Sequence, residues 1–192
     1  MNRRLYLAST SPRRSFIMEK YDIPFTLIEN LLKFEPDIDV SKPIGDGILA
    51  IANEKASVSS QSYNGLVLGV DTVVVYEGQV MGKPHSIDHA IEGLEKLSGM
   101  RHDVLTGYCL FDTISQVKIS KVVTTSVMFK SLEKQEIINY CNSAYPLDKA
   151  GGYDIQEVFE TFVSEIDGSF YNVVGLPIES LRQDLQSYKL IG

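Results

Sequence analysis

The stretch from Leu66 to Tyr76, Leu-Val-Leu-Gly-Val-Asp-Thr-Val-Val-Val-Tyr, reads as a buried central β-strand with one carboxylate in its middle. A strand of this kind commits the chain to a core built on a sheet. Asp is depleted in strands and rarely buried without a partner, so Asp71 requires a cation, a metal or a substrate. Two readings stay open from this stretch alone: Asp71 sits at a strand end or bulge against a structural Lys or Arg, or it faces a ligand.

Other elements follow from local pattern. Leu5-Tyr6-Leu7-Ala8 reads as a strand, and Ser11-Pro12 starts a helix, with Ser as N-cap and Pro at the first helical position. That helix runs toward the Asp22-Ile23-Pro24 break. A strand is predicted over Phe25 to Ile28, and a helix over Gly47 to Val58 puts Ile48, Ile51, Ala52 and Lys55 on one face. Between them, Phe34 to Asp46 reads as the long loop. Glu77-Gly78-Gln79 turns the central strand toward Val80 and Met81, and Ser86 caps a helix through Ala90, Leu94 and Leu97 that stops at Gly99. The alternating runs Val104 to Phe111 and Val117 to Phe129 are predicted strands, followed by a helix over Leu132 to Cys141. A polar, glycine-bearing loop from Asp148 ends in Gln156. Strand-like Thr161 to Ile166, a turn at Asp167-Gly168 and a helix from Ile178 to Tyr188 close the chain. Strands and helices intermingle with at least one hairpin, which favours an α/β fold with a mixed β-sheet flanked by helices.

With 44% hydrophobic and 22% charged residues among 192, the chain fits one soluble domain over 1–192, or two lobes sharing a core. No run approaches the roughly 18 consecutive apolar residues of a membrane span. Met1-Asn2-Arg3-Arg4 leads into a strand-like run rather than a signal-peptide apolar segment, so the expected location is cytoplasmic, with no membrane partner. Cys109 and Cys141 are far apart without metal-ligand spacing and read as buried small hydrophobes. A formal charge of -7 argues against nucleic-acid binding, which relies on basic patches. An anionic ligand therefore needs a local cluster of cations.

Such clusters can be found. Ser9-Thr10-Ser11-Pro12-Arg13-Arg14 places two guanidinium groups in the first turn of a helix, where the macrodipole disfavours cations unless an anion sits there. A pair of solvated surface arginines is the bland alternative. Lys55 closes an amphipathic helical face, and Lys83 stands in Gly82-Lys83-Pro84, where glycine allows close backbone approach to a ligand. Gln156 can read a base edge through its donor and acceptor, or can satisfy loop backbone.

The combination is more specific than its parts. Ser-x-Ser-Pro-Arg-Arg, Lys-Ala, Asp-Thr-Val-Val, Gly-Lys-Pro, Leu-Ser-Gly with Thr-Gly beyond it, Asp-Lys-Ala-Gly-x-Tyr-x-Ile-Gln and Val-Val-Gly-Leu-Pro occur in one order. Over essentially its full length the chain resembles the Maf family of nucleoside triphosphate pyrophosphatases. The resemblance implies a fold with two lobes around a cleft, similar to inosine triphosphate pyrophosphatases. It also implies hydrolysis of a nucleoside triphosphate to the monophosphate and pyrophosphate with a divalent metal cation, Mg or Mn, in nucleotide-pool cleansing. By the same resemblance Asp71 matches the catalytic proton acceptor. Arg13, Thr72 and Gln156 match specificity positions, and Ser11, Arg14, Lys55 and Lys83 match the other polar positions of the cleft.

The loop ending in Gln156 looks like the subgroup acting on dTTP and UTP. The sister type acting on 7-methyl-GTP or purines, or a non-catalytic nucleotide-binding regulator, is the rival expectation. The oligomeric state open to it is a homodimer. Two positions depart from the family pattern: Glu157 stands where Gly usually follows the loop Gln, and Lys33 falls at the offset of an expected acid. Glu29 and Glu35 are left as the candidate metal ligands. In the mechanism this implies, the cations face the phosphates while Asp71 takes a proton from water attacking the α-phosphorus. In the alternative, Asp71 holds the metal and Glu29 or Glu35 orients the water.

Overall fold

Strand-forming runs and helical faces alternate in the structure much as they do in the sequence. The computed structural model describes residues 3–34 and 36–191. Its strands are β1 (Leu5–Ala8), β2 (Thr26–Ile28), β3 (Leu66–Tyr76), β4 (Gln79–Met81), β5 (Arg101–Asp112), β6 (Val117–Phe129) and β7 (Val163–Asp167). Its helices are α1 (Pro12–Lys20), α2 (Ile44–Ser59), α3 (Ile87–Leu97), α4 (Lys134–Ser143), α5 (Ile155–Phe162), α6 (Phe170–Val174) and α7 (Ile178–Ser187). They build a seven-stranded sheet in the order β2-β1-β3-β5-β6-β7, with β4 paired to β3. The sheet is mixed: β1 runs parallel to β2 and β3, whereas β4 is antiparallel to β3 and β7 to β6.

Two compact units share the chain. The first takes the chain up to Asp71, then Thr106–Val123 and the chain from Gly175; the second takes Thr72–Leu105 and Thr124–Val174.

In the first unit, β1 lies between β2 and β3, with Ala8 opposite both Ile28 and Gly69. The three parallel strands β2-β1-β3 therefore reverse their direction of succession between β1 and β3, the kind of switch point beyond whose carboxyl ends ligands bind in open α/β sheets. Ala8, Ile28, Val67, Cys109 and Phe111 from the strands pack with Ala52 and Ala56 of α2 in one buried cluster. The expected face of α2 is the buried one: Ile48, Ile51, Ala52 and Lys55 all point inward. Both cysteines are free and buried, as their spacing implied, and burial pushes their thiols up.

In the second unit, Glu77 and Gly78 both adopt positive φ (48° and 73°) and make the two-residue turn of the β3–β4 hairpin. Ser86 caps α3 by accepting from the His89 amide, and Ala90, Leu94 and Leu97 are its buried face. Phe129 is the hub of an aromatic core, edge-on to His102, Tyr153 and Phe162.

Two expectations need correction. The segment ending in Gln156 is not loop throughout: Ile155 and Gln156 open helix α5, whose Ile155, Val158 and Phe162 are buried and whose N-cap Asp154 accepts from the Gln156 amide. Thr161 and Phe162 belong to that helix, so the last strand begins only at Val163.

Candidate active site

Beyond Ala8 the chain leaves β1 and enters α1 within four residues, and the polar groups of this turn are tied together. The buried Ser9 hydroxyl accepts from the Ser11 amide (3.1 Å) and from Arg14 Nη1 (3.1 Å). Arg14 Nε donates to the Gly175 carbonyl at 2.9 Å. Ser11 holds the N-cap backbone conformation, but its hydroxyl makes no cap bond, and no acid occupies the first turn of α1. The helix N-terminus thus gathers a hydroxyl, half-buried Arg13 and a braced Arg14 without a protein anion in that turn. A freely solvated arginine pair does not fit this geometry.

Asp71 lies on β3 past the point where that strand pairs with β1, and it is buried. Its partner comes from α2: Lys55 Nζ donates to Asp71 Oδ1 at 2.8 Å, with both side chains nearly excluded from solvent. Gly69 makes this meeting possible. A Cβ there would lie 2.4 Å from the Ala52 carbonyl oxygen and 2.5 Å from the Ala56 amide, so only glycine lets α2 lie this close to β3. Burying two charges is costly, and a pair kept in such a place needs a reason beyond stability.

The predicted residues Thr72, Lys83 and Gln156 belong to the second unit. Thr72 follows Asp71 on β3 and is half-buried, while Lys83 and Gln156 are exposed. The Gly-Lys-Pro turn and the glycine-bearing segment are joined by the Gly151 amide, which donates to the Gly82 carbonyl at 3.1 Å. Lys149 is buried and donates to the Tyr145 carbonyl and to Asp148 Oδ1, so the lysine of that motif holds the segment together.

Glu29 is exposed immediately after β2, and the register Ile28–Ala8–Gly69 puts it at the same sheet end as Ser9 and Asp71. Strand spacing sets Glu29 on the order of 10 Å from the β3 backbone across β1. Glu35 lies outside the described residues. Among the described residues no group of three His, Cys, Asp or Glu side chains converges to hold a metal. Glu29 and Asp71 carry carboxylate oxygens, the donor type that Mg²⁺ takes in ones or twos while phosphate oxygens and water complete its shell.

Sequence reading missed Ser9, Gly69 and Gly175 as parts of this site. Ser9 and Gly175 act through Arg14, a contact spanning 161 residues in the second case, which no local window reveals. Gly175 lies in the Val-Val-Gly-Leu-Pro motif, and that was the available signal.

The family model described as "Maf-like protein" matches residues 4–188. The chain belongs to the Maf-like protein family. Similar proteins include a dTTP/UTP pyrophosphatase of Geobacter metallireducens, 39% identical over 97% of this chain and 96% of that protein. A dTTP/UTP pyrophosphatase of Bacillus cereus is 38% identical over 98% and 97%, and one of Clostridium perfringens is 37% identical over 97% and 98%. Among solved structures, a nucleoside-triphosphatase / dITP/XTP pyrophosphatase of Mycobacterium abscessus overlaps 66% of this chain and 74% of that chain. Its TM-score is 0.43 at 10% identity, too slight a likeness to bear on fold or activity. Within this Maf-family chain no helix among the described residues is long and apolar enough to cross a membrane.

Proposed function

We propose that this Maf-family chain is a nucleoside triphosphate pyrophosphatase that hydrolyses dTTP and UTP to the monophosphate and pyrophosphate, cleansing nucleotide pools in the cytoplasm. The observation that carries the reading is the buried Lys55–Asp71 pair on the strand that overruns β1, beside a helix N-terminus bearing Ser11, Arg13 and Arg14.

In this reading Arg13, Arg14 and Lys83 meet the phosphate oxygens, and the positive end of the α1 dipole favours the anion. Asp71 accepts a proton from the water whose oxygen attacks the α-phosphorus. The bond from that phosphorus to the α,β-bridging oxygen breaks, and pyrophosphate leaves with its electron pair. Lys55 restrains the base by holding Oδ1, so the carboxylate does not rotate away between turnovers. A divalent cation, when bound, supplies charge neutralisation at the phosphates, and Glu29 is the carboxylate that would hold it, with Asp71 as the alternative.

Thr72 and Gln156 read the base. An amide side chain can donate to O4 and accept from N3–H, the pattern shared by thymine and uracil and reversed in cytosine. The test is a nucleotide panel with Mg²⁺ or Mn²⁺ that measures pyrophosphate. We expect kcat/KM for dTTP and UTP to exceed that for CTP, dCTP, ATP and GTP. Preferential hydrolysis of 7-methyl-GTP, or binding without release of pyrophosphate from any nucleotide, would contradict the reading.

A further inference from the structure

Glu157, the residue that departs from the family pattern, is on the exposed side of α5, next to Gln156. Its Oε2 accepts a hydrogen bond from the Tyr140 hydroxyl of α4 (3.2 Å), and that same hydroxyl accepts from the Asp154 amide (2.9 Å). Asp154 in turn caps α5, its Oδ1 accepting from the Gln156 amide at 3.0 Å. The donors and acceptors form a directed chain: Tyr140 gives its proton to Glu157 and its lone pair to Asp154, and Asp154 holds the backbone of Gln156. The ring of Tyr140 is anchored edge-on to Phe162, at the far end of the same helix. Burial pushes the Tyr140 phenol up, so the hydroxyl stays protonated and can donate throughout the working pH range.

We infer that Tyr140 and Glu157 are positioning residues for base selection, clamping the first turn of α5 so that Gln156 is presented in one setting. This rests on the reading of Gln156 as the group that meets the pyrimidine edge. Glu157 then does not spoil a base pocket. Its carboxylate is drawn sideways to Tyr140, and it replaces the conformational freedom of a glycine at this place with a cross-link to α4.

Discrimination by a hydrogen-bonding side chain depends on its placement, because a misaligned amide leaves polar groups unpaired for the right base as well as the wrong one. Loosening the clamp should therefore narrow the ratio of kcat/KM for dTTP over CTP, mainly by raising KM for dTTP. Phosphate chemistry, carried by other residues, should change little in kcat.

The experiment is a cycle of Tyr140→Phe, Gln156→Ala and the double variant, with pyrophosphate release from dTTP and CTP as readout and hydrogen exchange of the Asp154 amide alongside. Tyr140→Phe should narrow the dTTP/CTP ratio roughly three- to tenfold, the worth of one lost hydrogen bond, and speed exchange at Asp154. In the Gln156→Ala background it should narrow the ratio no further. Glu157→Ala, at an exposed position that does not threaten folding, should give a smaller loss of the same kind. An unchanged ratio in Tyr140→Phe and Glu157→Ala, with a collapsed ratio in Gln156→Ala, would overturn the clamp while leaving Gln156 as the base reader. Equal narrowing by Tyr140→Phe with and without Gln156 would also overturn it. A Gln156→Ala enzyme with full discrimination would remove the reading on which the clamp rests.

Discussion

Arg13 and Arg14 are neighbours in sequence with different work to do. Arg14 spends Nε on the Gly175 carbonyl and Nη1 on Ser9, so it braces the turn after β1 against the segment before α7. Arg13 is half-buried in the first turn of α1, beside the Ser11 hydroxyl that caps nothing. Arg13→Ala should lower kcat/KM for dTTP by about a hundredfold with no fall in melting temperature, because an unfavourable contact with the helix dipole disappears with it. Arg14→Ala should lower activity and also cost about 1–3 kcal/mol of stability through two lost hydrogen bonds. Urea unfolding of both variants beside steady-state kinetics distinguishes these roles; equal stability losses would show that both arginines are structural. His102, in the second unit, offers a pH-dependent counterpart. It is buried against Phe129 and bonded to the Tyr153 hydroxyl (2.7 Å), and desolvation pulls its pKa down to about 4. Because the unfolded chain binds the proton more tightly, stability from this residue is full above about pH 6.5 and is lost as pH falls toward 4. Between pH 7.5 and 5 the loss is roughly 2 kcal/mol, and the drop in stability measured over that interval should be smaller by that amount in His102→Gln.

At the scale of elements, packing of α2 on β3 decides where Lys55 sits. Gly69→Ala would drive a methyl into the Ala52 carbonyl and the Ala56 amide, which are helix backbone and cannot turn aside. The helix must lift, so Gly69→Ala should lose about 3 kcal/mol and most activity together. Gly45→Ala, whose added methyl would meet only Val122 at 3.8 Å, should be neutral or slightly stabilising and serves as the control on α2, the helix that Gly69 faces. Denaturant unfolding of the pair would expose an error if Gly69→Ala proved as harmless as its control. The elements that were legible in sequence are those whose own pattern is strong. The strand Leu66–Tyr76 is a long apolar run and Leu5–Ala8 a short one, and α3 has a Ser cap, a periodic face and a terminal Gly99. Helix α5 was not legible because it is eight residues long, follows two glycines and runs straight into β7, so its Ile155 reads as loop and its Phe162 as strand. The five-residue α6 is too short to show a period at all. The same distinction holds for the site. Asp71 and Lys55 were visible because each is a charge in an apolar pattern, whereas Ser9, Gly69, Gly175 and Tyr140 look ordinary until the fold brings their partners to them.

At the scale of the whole molecule, the chain passes from one compact unit to the other at Asp71–Thr72, within a single unbroken strand. The residue assigned as base ends one unit, and a residue assigned to base recognition begins the next. With a formal charge of -7, the protein as a whole repels a triphosphate, so in the proposed mechanism binding depends on the local cations Arg13, Arg14 and Lys83 and on the proposed divalent cation. Asp71 is the residue on which the proposed hydrolysis turns. Asp71→Asn keeps the size of the side chain and removes the anionic base, and relief of charge repulsion should leave nucleotide binding intact. Pyrophosphate release from dTTP, measured for the folded Asp71→Asn protein beside wild type, should fall at least about a hundredfold, the usual loss for a missing general base. Release at a rate near wild type from that variant would contradict the assignment of Asp71 and the mechanism built on it.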